Sequence, residues 1–273
     1  MQATQRRTIL ITGANKGIGY VSAEKFFSDS APYDIILTSR DVKLGEKAIE
    51  TLKNKYPNSS NTLIYQQLEV NDEKSVDNLV NWVKTSNKKI DVLINNAAIH
   101  YWEANEEQRK FTIKTNFLSV VNITEKLLPY LSEDAKILQI SSFIGQLAYQ
   151  GPKLQKALTD PTLTQQGLID IANNFIEITS DFKENFPAVE PSYPGSKALL
   201  NFYVKNFLPA KLKPNQQVYA VHPGWVQTDM GGSGAPQPLE EGADNIVYLT
   251  NLPYKVNPEI NAKLIADKKV LEF

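Results

Sequence analysis

Residues 8–19 read TILITGANKGIG, and this stretch decides the fold. Its apolar, β-branched start is typical of a buried parallel strand, and its three glycines come directly before an amphipathic segment. Glycines at a strand-to-helix turn let the backbone pass close to a pyrophosphate, whose charge the helix N-terminus stabilises. The spacing G-x-x-x-G-x-G alone is weak evidence, but its place between a strand and a helix predicts a dinucleotide-binding turn. The residues expected to contact the dinucleotide are Gly13, Asn15, Lys16, Gly17, Ile18 and Gly19.

The same alternation of strand and helix continues through most of the chain. Further β-branched runs occupy residues 33–40, 62–70, 90–98, 135–142 and 216–223, and helix-like stretches occupy residues 17–29, 43–55, 72–86 and 105–131. A repeated βαβ pattern with right-handed crossovers predicts an α/β fold, a doubly wound parallel sheet of about seven strands and of the Rossmann type. Because 273 residues suit one such domain, residues 1–273 are predicted to form a single dinucleotide-binding and catalytic domain.

The pattern breaks at two places. Between residues 148 and 192, proline-bearing loops enclose the stretch LTQQGLIDIANNFIEITSDF, which predicts a helical insertion. Residues 229–238, DMGGSGAPQP, are rich in glycine and proline and predict a mobile loop beside the substrate.

Composition excludes several classes of partner. The 29 Lys and Arg residues balance 30 Asp and Glu residues, so no broad basic field is available for nucleic acid or an anionic membrane. The chain has no cysteine, which excludes disulfides and thiolate catalysis. His100 and His222 lack the spacing of metal ligands, so no metal is expected. The N-terminal apolar run is too short for a signal peptide or a membrane span, and a cytoplasmic protein is expected.

The end of the second predicted strand distinguishes between NAD and NADP. An NAD site usually places an acid there for the ribose 2′-hydroxyl, whereas Arg40 suits a 2′-phosphate and Lys16 adds a second cation. NADP(H) is therefore the expected cofactor. Asp41 either caps the next helix or binds ribose, and capping is favoured because Asp41 lies one residue past the usual acid. Glu69, at the end of the third strand, either accepts a hydrogen bond from the adenine amino group or is a solvated loop residue.

Tyr193 and Lys197 form a second candidate site. They stand four residues apart in Tyr193-Pro-Gly-Ser-Lys197 and share one face of a predicted helix. A phenol has a pKa of about 10, and an ammonium roughly 4–5 Å away lowers it by about two or three units before desolvation opposes the shift. The pair is thus a candidate proton donor with an electrostatic partner. Taken singly, a half-buried helix tyrosine and a solvated lysine are the more ordinary explanations.

Six motifs in this order resemble those of the short-chain dehydrogenase/reductase family. They are Thr12–Gly19, Asn95-Asn-Ala-Ala98, Asn116, Ile140-Ser-Ser142, Tyr193-Pro-Gly-Ser-Lys197, and Pro223-Gly-Trp-Val-Gln-Thr-Asp-Met230. The chain is most similar to the carbonyl reductases, which share the Asn-Lys-Gly-Ile-Gly turn and a long insertion before the tyrosine. Here Ser142 and Tyr193 are 51 positions apart. Ala98 departs from the family's usual glycine, and its methyl group would cost about 1 kcal/mol if the position requires a positive φ.

The resemblance implies an NADPH-dependent reductase that converts a ketone or an aldehyde to an alcohol. Tyr193 would donate the proton, and Ser142, rather than Ser141, would stabilise the carbonyl oxygen. Lys197 would also bind the nicotinamide ribose, and Asn116 would hold a water that relays protons to Lys197. The further cofactor contacts that the resemblance implies, in addition to Glu69, Tyr193 and Lys197, are Val70, Asn95, Ala97, Pro223, Gly224, Val226 and Thr228.

The sequence says less about the residues around the substrate than about those around the cofactor. Trp225 follows the sixth predicted strand and is expected to line an apolar pocket with Ser142 and Tyr193, in preference to the cluster His100-Tyr101-Trp102. The insertion is either a surface elaboration or a cover over the helices through which other family members oligomerise, and the resemblance favours a monomer. Two alternatives stay open: an NAD(P)-dependent alcohol dehydrogenase that runs in the oxidative direction, and a cofactor-bound sensor without turnover.

Overall fold

The computed structural model of the protein describes residues 6–175 and 190–273. Its strands are β1 (Arg7–Ile11), β2 (Tyr33–Ser39), β3 (Thr62–Gln67), β4 (Ile90–Asn95), β5 (Leu131–Ile140), β6 (Gln217–Val221), β7 (Leu264–Ala266) and β8 (Lys269–Leu271). Its α-helices are α1 (Gly17–Ser28), α2 (Val42–Lys55), α3 (Glu73–Thr85), α4 (Glu106–Ile113), α5 (Ser119–Leu127), α6 (Pro152–Leu158), α7 (Gln165–Asn173), α8 (Ser192–Asn206) and α9 (Asp244–Asn251). A π-helical turn, Lys114–Leu118, joins α4 to α5.

The strands form one sheet in the order β3-β2-β1-β4-β5-β6-β7-β8. Neighbouring strands from β3 across to β7 are parallel, and β8 returns antiparallel to β7. The predicted doubly wound parallel sheet is confirmed, with eight strands in place of about seven. The chain order reverses between β1 and β4, which opens a crevice above the carboxyl ends of these strands, where ligands bind in such sheets.

Helices cover both faces of the sheet. On one face α1, α2 and α9 bury residues such as Phe26, Leu52 and Leu249 against the strands. On the other face α3, α4, α5, α8 and the π-helical turn pack on the sheet through residues such as Phe117 and Tyr203. Because both faces of the sheet are covered, its central strands are apolar almost throughout, as the sequence pattern indicated.

Side-chain caps fix where several helices begin. The Asp41 carboxylate accepts a hydrogen bond from the backbone N–H of Leu44 at the start of α2. The favoured interpretation of Asp41 as a helix cap is thereby confirmed. Asn105 and Gln108 form a reciprocal capping box at the start of α4.

Helices α6 and α7 belong to the predicted insertion. Leu168 and Ala172 of α7 are buried against the layer formed by α4 and α8. Residues 176–189, which include the end of the predicted helical stretch, lie outside the described residues. Within residues 6–175 and 190–273, no helix combines the length and the apolar composition that a membrane crossing requires.

Candidate active site

The carboxyl ends of β4, β5 and β6 meet the first turn of α8 at one edge of the sheet. Ser142 follows β5 after one intervening residue, and Tyr193 lies in the first turn of α8. Helix α8 runs back along the sheet, so Lys197, one turn later, reaches the end of β5. The structure therefore brings Ser142, Tyr193 and Lys197 together, as the sequence predicts.

Tyr193 is half-buried and forms a side-chain hydrogen bond with Ser142. Burial raises the pKa of Tyr193 to about 12, and the bond with Ser142 offsets part of that rise. This direction is opposite to the expected lowering by Lys197. Desolvation of the phenolate is the largest cause of this rise, and the Lys197 nitrogen lies 5.6 Å from the centre of the Tyr193 ring. The phenol is therefore fully protonated at neutral pH in this arrangement.

Lys197 is 2% exposed, and burial lowers its pKa to about 7. Its Nζ donates one hydrogen bond, 2.7 Å long, to the carbonyl oxygen of Ile140 at the end of β5. An ammonium has three donors, so two stay unused within the described part of the chain. The lysine is anchored to the sheet and still has hydrogen bonds to offer to a ligand.

The two serines after β5 point to different places. The Ser141 hydroxyl donates a 2.6 Å hydrogen bond to Asn201 Oδ1 in the interior. The Ser142 hydroxyl contacts Tyr193 and accepts a long 3.4 Å bond from the N–H of Ile144. This placement supports the choice of Ser142 over Ser141.

Asn116 is fully buried in the π-helical turn between α4 and α5. Its Nδ2 donates to the carbonyl of Ile99 at 2.9 Å and to Ser196 Oγ at 3.1 Å, and its Oδ1 accepts from the N–H of Ile99 at 2.9 Å. The side chain thus ties the loop after β4 to α8. π-turns often occur at functional sites, because they turn a side chain out of the regular helical register.

The glycine turn is built for close approach of a ligand. Gly13 and Gly17 have φ of +63° and +59°, and a Cβ at Gly17 would meet only the Thr228 methyl, at 3.8 Å. The backbone before α1 is therefore open, as a pyrophosphate requires. Behind the turn, a Cβ at Gly19 would lie 2.5 Å from Asn96 Nδ2, so this glycine serves packing.

Asn96, which the sequence interpretation did not single out, holds the glycine turn. Its Nδ2 donates to the carbonyls of Thr12 and Gly13, and its N–H donates to Thr12 Oγ1. The N–H of Ala97 donates to the same hydroxyl. The Asn95 side chain, in contrast, is buried and donates to Thr124 Oγ1 in α5, so the structure does not bring it to the cofactor side. Strand alternation places only one residue of the Asn-Asn pair at the turn.

Ala98 does not have the positive φ that would make its methyl group unfavourable. In the described residues, the non-glycine positions with positive φ are Asn87, Ala262, Asp267 and Lys268. The departure from the family's glycine therefore introduces no left-handed strain at this position.

Two cations stand at the ends of β2 and the glycine turn. Arg40 is 77% exposed at its side chain, and its Nε lies 3.9 Å from Glu69 Oε2. Lys16 Nζ lies 2.6 Å from Asp229 Oδ2, with both side chains mostly exposed. Both cations are open to solvent on the cofactor side. Glu69 lies beside Arg40 just after β3, and Val70 packs against the core. Exposed Arg and Lys together suit a phosphate.

The loop after β6 closes the other side of the crevice. Gly224, after Pro223, has φ of +97°, and the buried Val226 pairs with Gln237 in a short bridge. Thr228 Oγ1 accepts from the N–H of Gly231. Trp225 is 50% exposed and donates its indole N–H to the Gly231 carbonyl, which fixes the ring at the rim.

Other aromatic side chains flank Tyr193. The His100 ring lies 4.9 Å from the Tyr193 ring and 4.9 Å from the Trp102 ring, measured between centroids. Phe143 lies 5.1 Å from His222. Burial lowers the pKa of both histidines, to about 4 for His222, so both are neutral at neutral pH. The wall is therefore aromatic and uncharged on the substrate side.

Glu190 and Arg109 hold the first turn of α8, and no sequence pattern marked them. The Glu190 carboxylate accepts from Arg109 Nε at 2.8 Å and from the backbone N–H of Ser192 at 3.0 Å, and it also contacts the Ser192 hydroxyl. Its side chain is 4% exposed. The two residues are 81 positions apart, so only the fold reveals the pair.

Comparisons with known proteins agree with this geometry. The family model for short chain dehydrogenases matches residues 7–153. Carbonyl reductase (NADPH) 1 of Sus scrofa is 31% identical over 284 residues, covering 99% of this chain and 96% of that protein. The (+)-neomenthol dehydrogenase of Arabidopsis thaliana is 31% identical, covering 98% of each chain. The structure of salutaridine reductase from Papaver somniferum superposes with a TM-score of 0.80 at 28% identity, covering 95% of this chain and 99% of that one.

Proposed function

The chain belongs to the short-chain dehydrogenase family, and from this we propose that it is an NADPH-dependent oxidoreductase that reduces a ketone or an aldehyde to the alcohol. The observation that carries the proposal is the group of Ser142, Tyr193 and Lys197 beside the open glycine turn. Full-length relatives at 31% identity that are named NADPH-dependent carbonyl reductases support it.

The residues of the crevice fit NADPH. Gly17 leaves room for a pyrophosphate at the N-terminus of α1, Gly13 lets the turn pack closely on Ala97, and Arg40 with Lys16 would bind the 2′-phosphate. The two unused donors of Lys197 would bind the nicotinamide ribose. When bound, NADPH supplies the hydride that the carbonyl carbon accepts.

The protein's own part is to hold the carbonyl oxygen and deliver a proton to it. Ser142 and Tyr193 would both donate hydrogen bonds to this oxygen, whose negative charge grows as the new C–H bond forms. The O–H bond of Tyr193 then breaks, and the proton forms a new O–H bond with the substrate oxygen. Although burial raises the pKa of Tyr193 to about 12, the transfer is downhill, because an alcohol, like water, is a weaker acid than the phenol and its alkoxide is the stronger base. The phenolate left behind would be reprotonated through Lys197 and the water near Asn116.

The protonated phenol favours reduction over the oxidative alternative. A base that removes the proton of an alcohol must be ionised, and a phenol with a pKa of about 12 is almost entirely neutral at pH 7. The same phenol is already in the form that an acid requires. This protonation state supports the proposed reduction.

The monomeric state predicted from the resemblance is a further part of the proposal. The Phe175 ring packs so closely on Gly195 in α8 that a Cβ there would lie 2.1 Å from the ring. Helix α7 likewise packs on α4 and α8, which supports the proposal that the insertion covers the helices that other family members pair. Light scattering coupled to size exclusion tests this directly, and a dimer would contradict it.

A turnover assay tests the proposed activity. NADPH oxidation is followed with a panel of aldehydes, quinones and diketones, for the wild-type protein and for Tyr193→Phe. We expect the loss of the phenolic proton to lower kcat/KM by roughly 10³-fold, the scale of a general acid. Tyr203→Phe is the matched control, because Tyr203 lies on the same helix and its hydroxyl bonds Glu125, away from the site.

Two outcomes would contradict the activity. If the wild-type protein binds NADPH and turns over none of the panel, the sensor alternative gains support. If Tyr193→Phe retains the wild-type rate, Tyr193 is not the proton donor.

A further inference from the structure

Glu190 is a buried carboxylate that the proposed reaction does not use. It is 7% exposed and lies just before the first turn of α8, which carries Tyr193. Burying a carboxylate is unfavourable unless an opposite charge and hydrogen bonds compensate for the lost water. The partners of Glu190 therefore indicate what the carboxylate does at this place.

Those partners come from two helices. Glu190 Oε1 accepts a 2.8 Å hydrogen bond from Arg109 Nε of α4. Its Oε2 accepts a 3.0 Å bond from the backbone N–H of Ser192 and also contacts the Ser192 hydroxyl. Ser192 is the first residue of α8, and the first N–H groups of a helix have no acceptor within it. The carboxylate supplies that acceptor, and its negative charge suits the positive end of the helix dipole.

A second connection holds α8 on the other side of Tyr193. The Ser196 hydroxyl donates to the Tyr193 carbonyl at 2.6 Å and accepts from Asn116 Nδ2 at 3.1 Å. Asn116 lies in the π-helical turn that continues α4. Tyr193 thus lies between Ser192 and Ser196, and both serines are connected to the segment formed by α4 and the π-helical turn.

The position of this first turn matters because the two hydroxyls of the site lie on different elements. Ser142 follows β5, whereas Tyr193 belongs to α8, and their side chains hydrogen-bond each other. Both hydroxyls must point at one carbonyl oxygen. A displacement of about 1 Å in a catalytic group can cost roughly 10²-fold in rate, so the start of α8 has to be fixed closely.

We propose that Glu190 is a positioning residue for the proton transfer and that Arg109 acts through it. This inference rests on the proposed function, in which Tyr193 is the proton donor. The Glu190 carboxylate fixes the start of α8, so that the phenol stays within hydrogen-bond reach of the oxygen that Ser142 also holds. Arg109 compensates the buried charge and joins the carboxylate to α4. Neither side chain takes part in the bond changes.

Glu190→Ala tests the inference in the full-length protein. The loss of the carboxylate should lower kcat/KM for the carbonyl substrate by roughly 10- to 100-fold, the scale of a misplaced catalytic group. NADPH should bind within about threefold of the wild-type affinity, because the glycine turn and Arg40 lie on other elements. The solvent isotope effect on kcat/KM should rise, because a displaced donor slows the proton transfer relative to the hydride transfer. Glu190→Gln keeps an oxygen for the Ser192 N–H and should return kcat/KM to within about fivefold of the wild type.

Glu125→Ala is the matched control. Glu125 is also a carboxylate that holds α8, because it accepts from the Tyr203 hydroxyl at 3.1 Å, and it pairs with Lys211 at 3.0 Å. Tyr203 lies further along α8, away from the first turn. Glu125→Ala should therefore lower the melting temperature without changing the solvent isotope effect. The same pattern in Glu190→Ala would show a merely structural role and overturn the proposal.

Arg109→Met tests the second half of the pair and serves if Glu190→Ala does not fold. It should lower kcat/KM roughly tenfold, because the buried carboxylate loses its compensating charge, and it should raise the solvent isotope effect. Added to Glu190→Ala, it should cost less than about twofold more, because the two residues act as a unit. Lys110→Met, which removes a mostly exposed cation of the same helix, should leave kcat/KM unchanged. Full additivity of Arg109→Met and Glu190→Ala would refute the role of Arg109.

NMR of protein labelled with ¹³C at the phenolic carbon of tyrosine separates a failure of this inference from a failure of the proposed function. The Tyr193 signal is identified by its absence in Tyr193→Phe. It should move or broaden in Glu190→Ala and stay in place in Glu125→Ala. An unchanged Tyr193 signal in Glu190→Ala would overturn the positioning role, even in an active enzyme. A shifted signal in a protein that reduces no carbonyl would overturn the proposed function and support the placement of the phenol by Glu190.

Discussion

The two ends of the sheet hold cations in different ways. At the amino end, Arg7 bonds Asp91 at 2.8 Å and Asp134 at 3.0 Å, and it also lies over the Tyr254 ring. Lys136, fully buried in β5, donates to the carbonyls of residues 249, 250 and 252 at the end of α9, at 3.0, 2.8 and 2.5 Å. At the carboxyl end, Lys197 has one protein acceptor in the described residues and Arg40 is mostly exposed.

A shifted pKa does not separate the two ends. Burial lowers the pKa of Lys136 to about 7 and that of Lys197 to about 7 as well. The number of unused donors does separate them: Lys136 uses all three on the end of α9, whereas Lys197 uses one. A buried cation with unused donors is available to a ligand, and a saturated one stabilises the fold.

Replacing each lysine by methionine gives the largest expected contrast. Lys197→Met should lower kcat/KM by roughly 10³-fold, because Tyr193 and the cofactor both lose their cationic neighbour. Lys136→Met should keep kcat/KM within about threefold of the wild type, because Lys136 lies four residues before the end of β5 and its ammonium bonds carbonyls at the end of α9, not site residues. Steady-state kinetics of the two variants at saturating NADPH decide this, and equal losses would refute the distinction by unused donors.

The loss in free energy of unfolding should be larger for Lys136→Met than for Lys197→Met, which is the opposite of the order in kcat/KM. Lys136→Met leaves three carbonyls at the end of α9 without donors and should lower the free energy of unfolding by about 3 kcal/mol. Lys197→Met leaves one carbonyl without a donor and should lower the free energy of unfolding by about 1 kcal/mol. Urea unfolding followed by circular dichroism measures both. A smaller loss for Lys136→Met than for Lys197→Met would be the contrary result.

The cost of removing Lys136 should also depend on pH. The folded pKa of about 7 lies below the unfolded value of roughly 10.4, so between these values the unfolded chain binds more protons. This lysine therefore makes the wild type more stable as pH rises, by at most about 1.4 kcal/mol per unit. Lys136→Met lacks this contribution, so its deficit relative to the wild type should be larger at pH 9 than at pH 7. Urea unfolding at both pH values tests the sign.

Arg40 extends the same distinction to the cofactor. Its guanidinium is mostly exposed and lies 3.9 Å from Glu69, so it can still take a 2′-phosphate, whereas Arg7 is held by two aspartates at 2.8 and 3.0 Å. Arg40→Ala should therefore lower the preference for NADPH over NADH by about 2 kcal/mol, or roughly 30-fold. The comparison of kcat/KM with the two cofactors measures the preference, and Lys53→Ala, at an exposed position of α2, should leave it unchanged. An unchanged preference in Arg40→Ala would remove the basis for NADP(H) selection at this position.

Sequence patterns predicted the parts of this molecule that repeat or that carry a motif. The six predicted strands and the pair Tyr193 and Lys197 lie where expected, because alternation and spacing are local properties. Strands β7 and β8, with three residues each, are too short to produce a pattern. The rise of the Tyr193 pKa and the saturation of Lys136 depend on burial by distant segments, which a single sequence does not reveal.

The exposed pair of Lys16 and Asp229 should give the smallest effect on cofactor binding. Lys16 is a cation at the carboxyl end of the sheet, and one carboxylate already pairs with it. Asp229 Oδ2 lies 2.6 Å from Lys16 Nζ and competes with a 2′-phosphate for that ammonium. Asp229→Asn should therefore tighten NADPH two- to fivefold at most, the scale of an exposed ion pair, and leave NADH unchanged. Asp244→Asn is the matched control, since it frees Lys25 from an equally short pair on the far part of α1. If titration shows weaker NADPH binding for Asp229→Asn, Asp229 orients Lys16 toward the phosphate and does not compete for it.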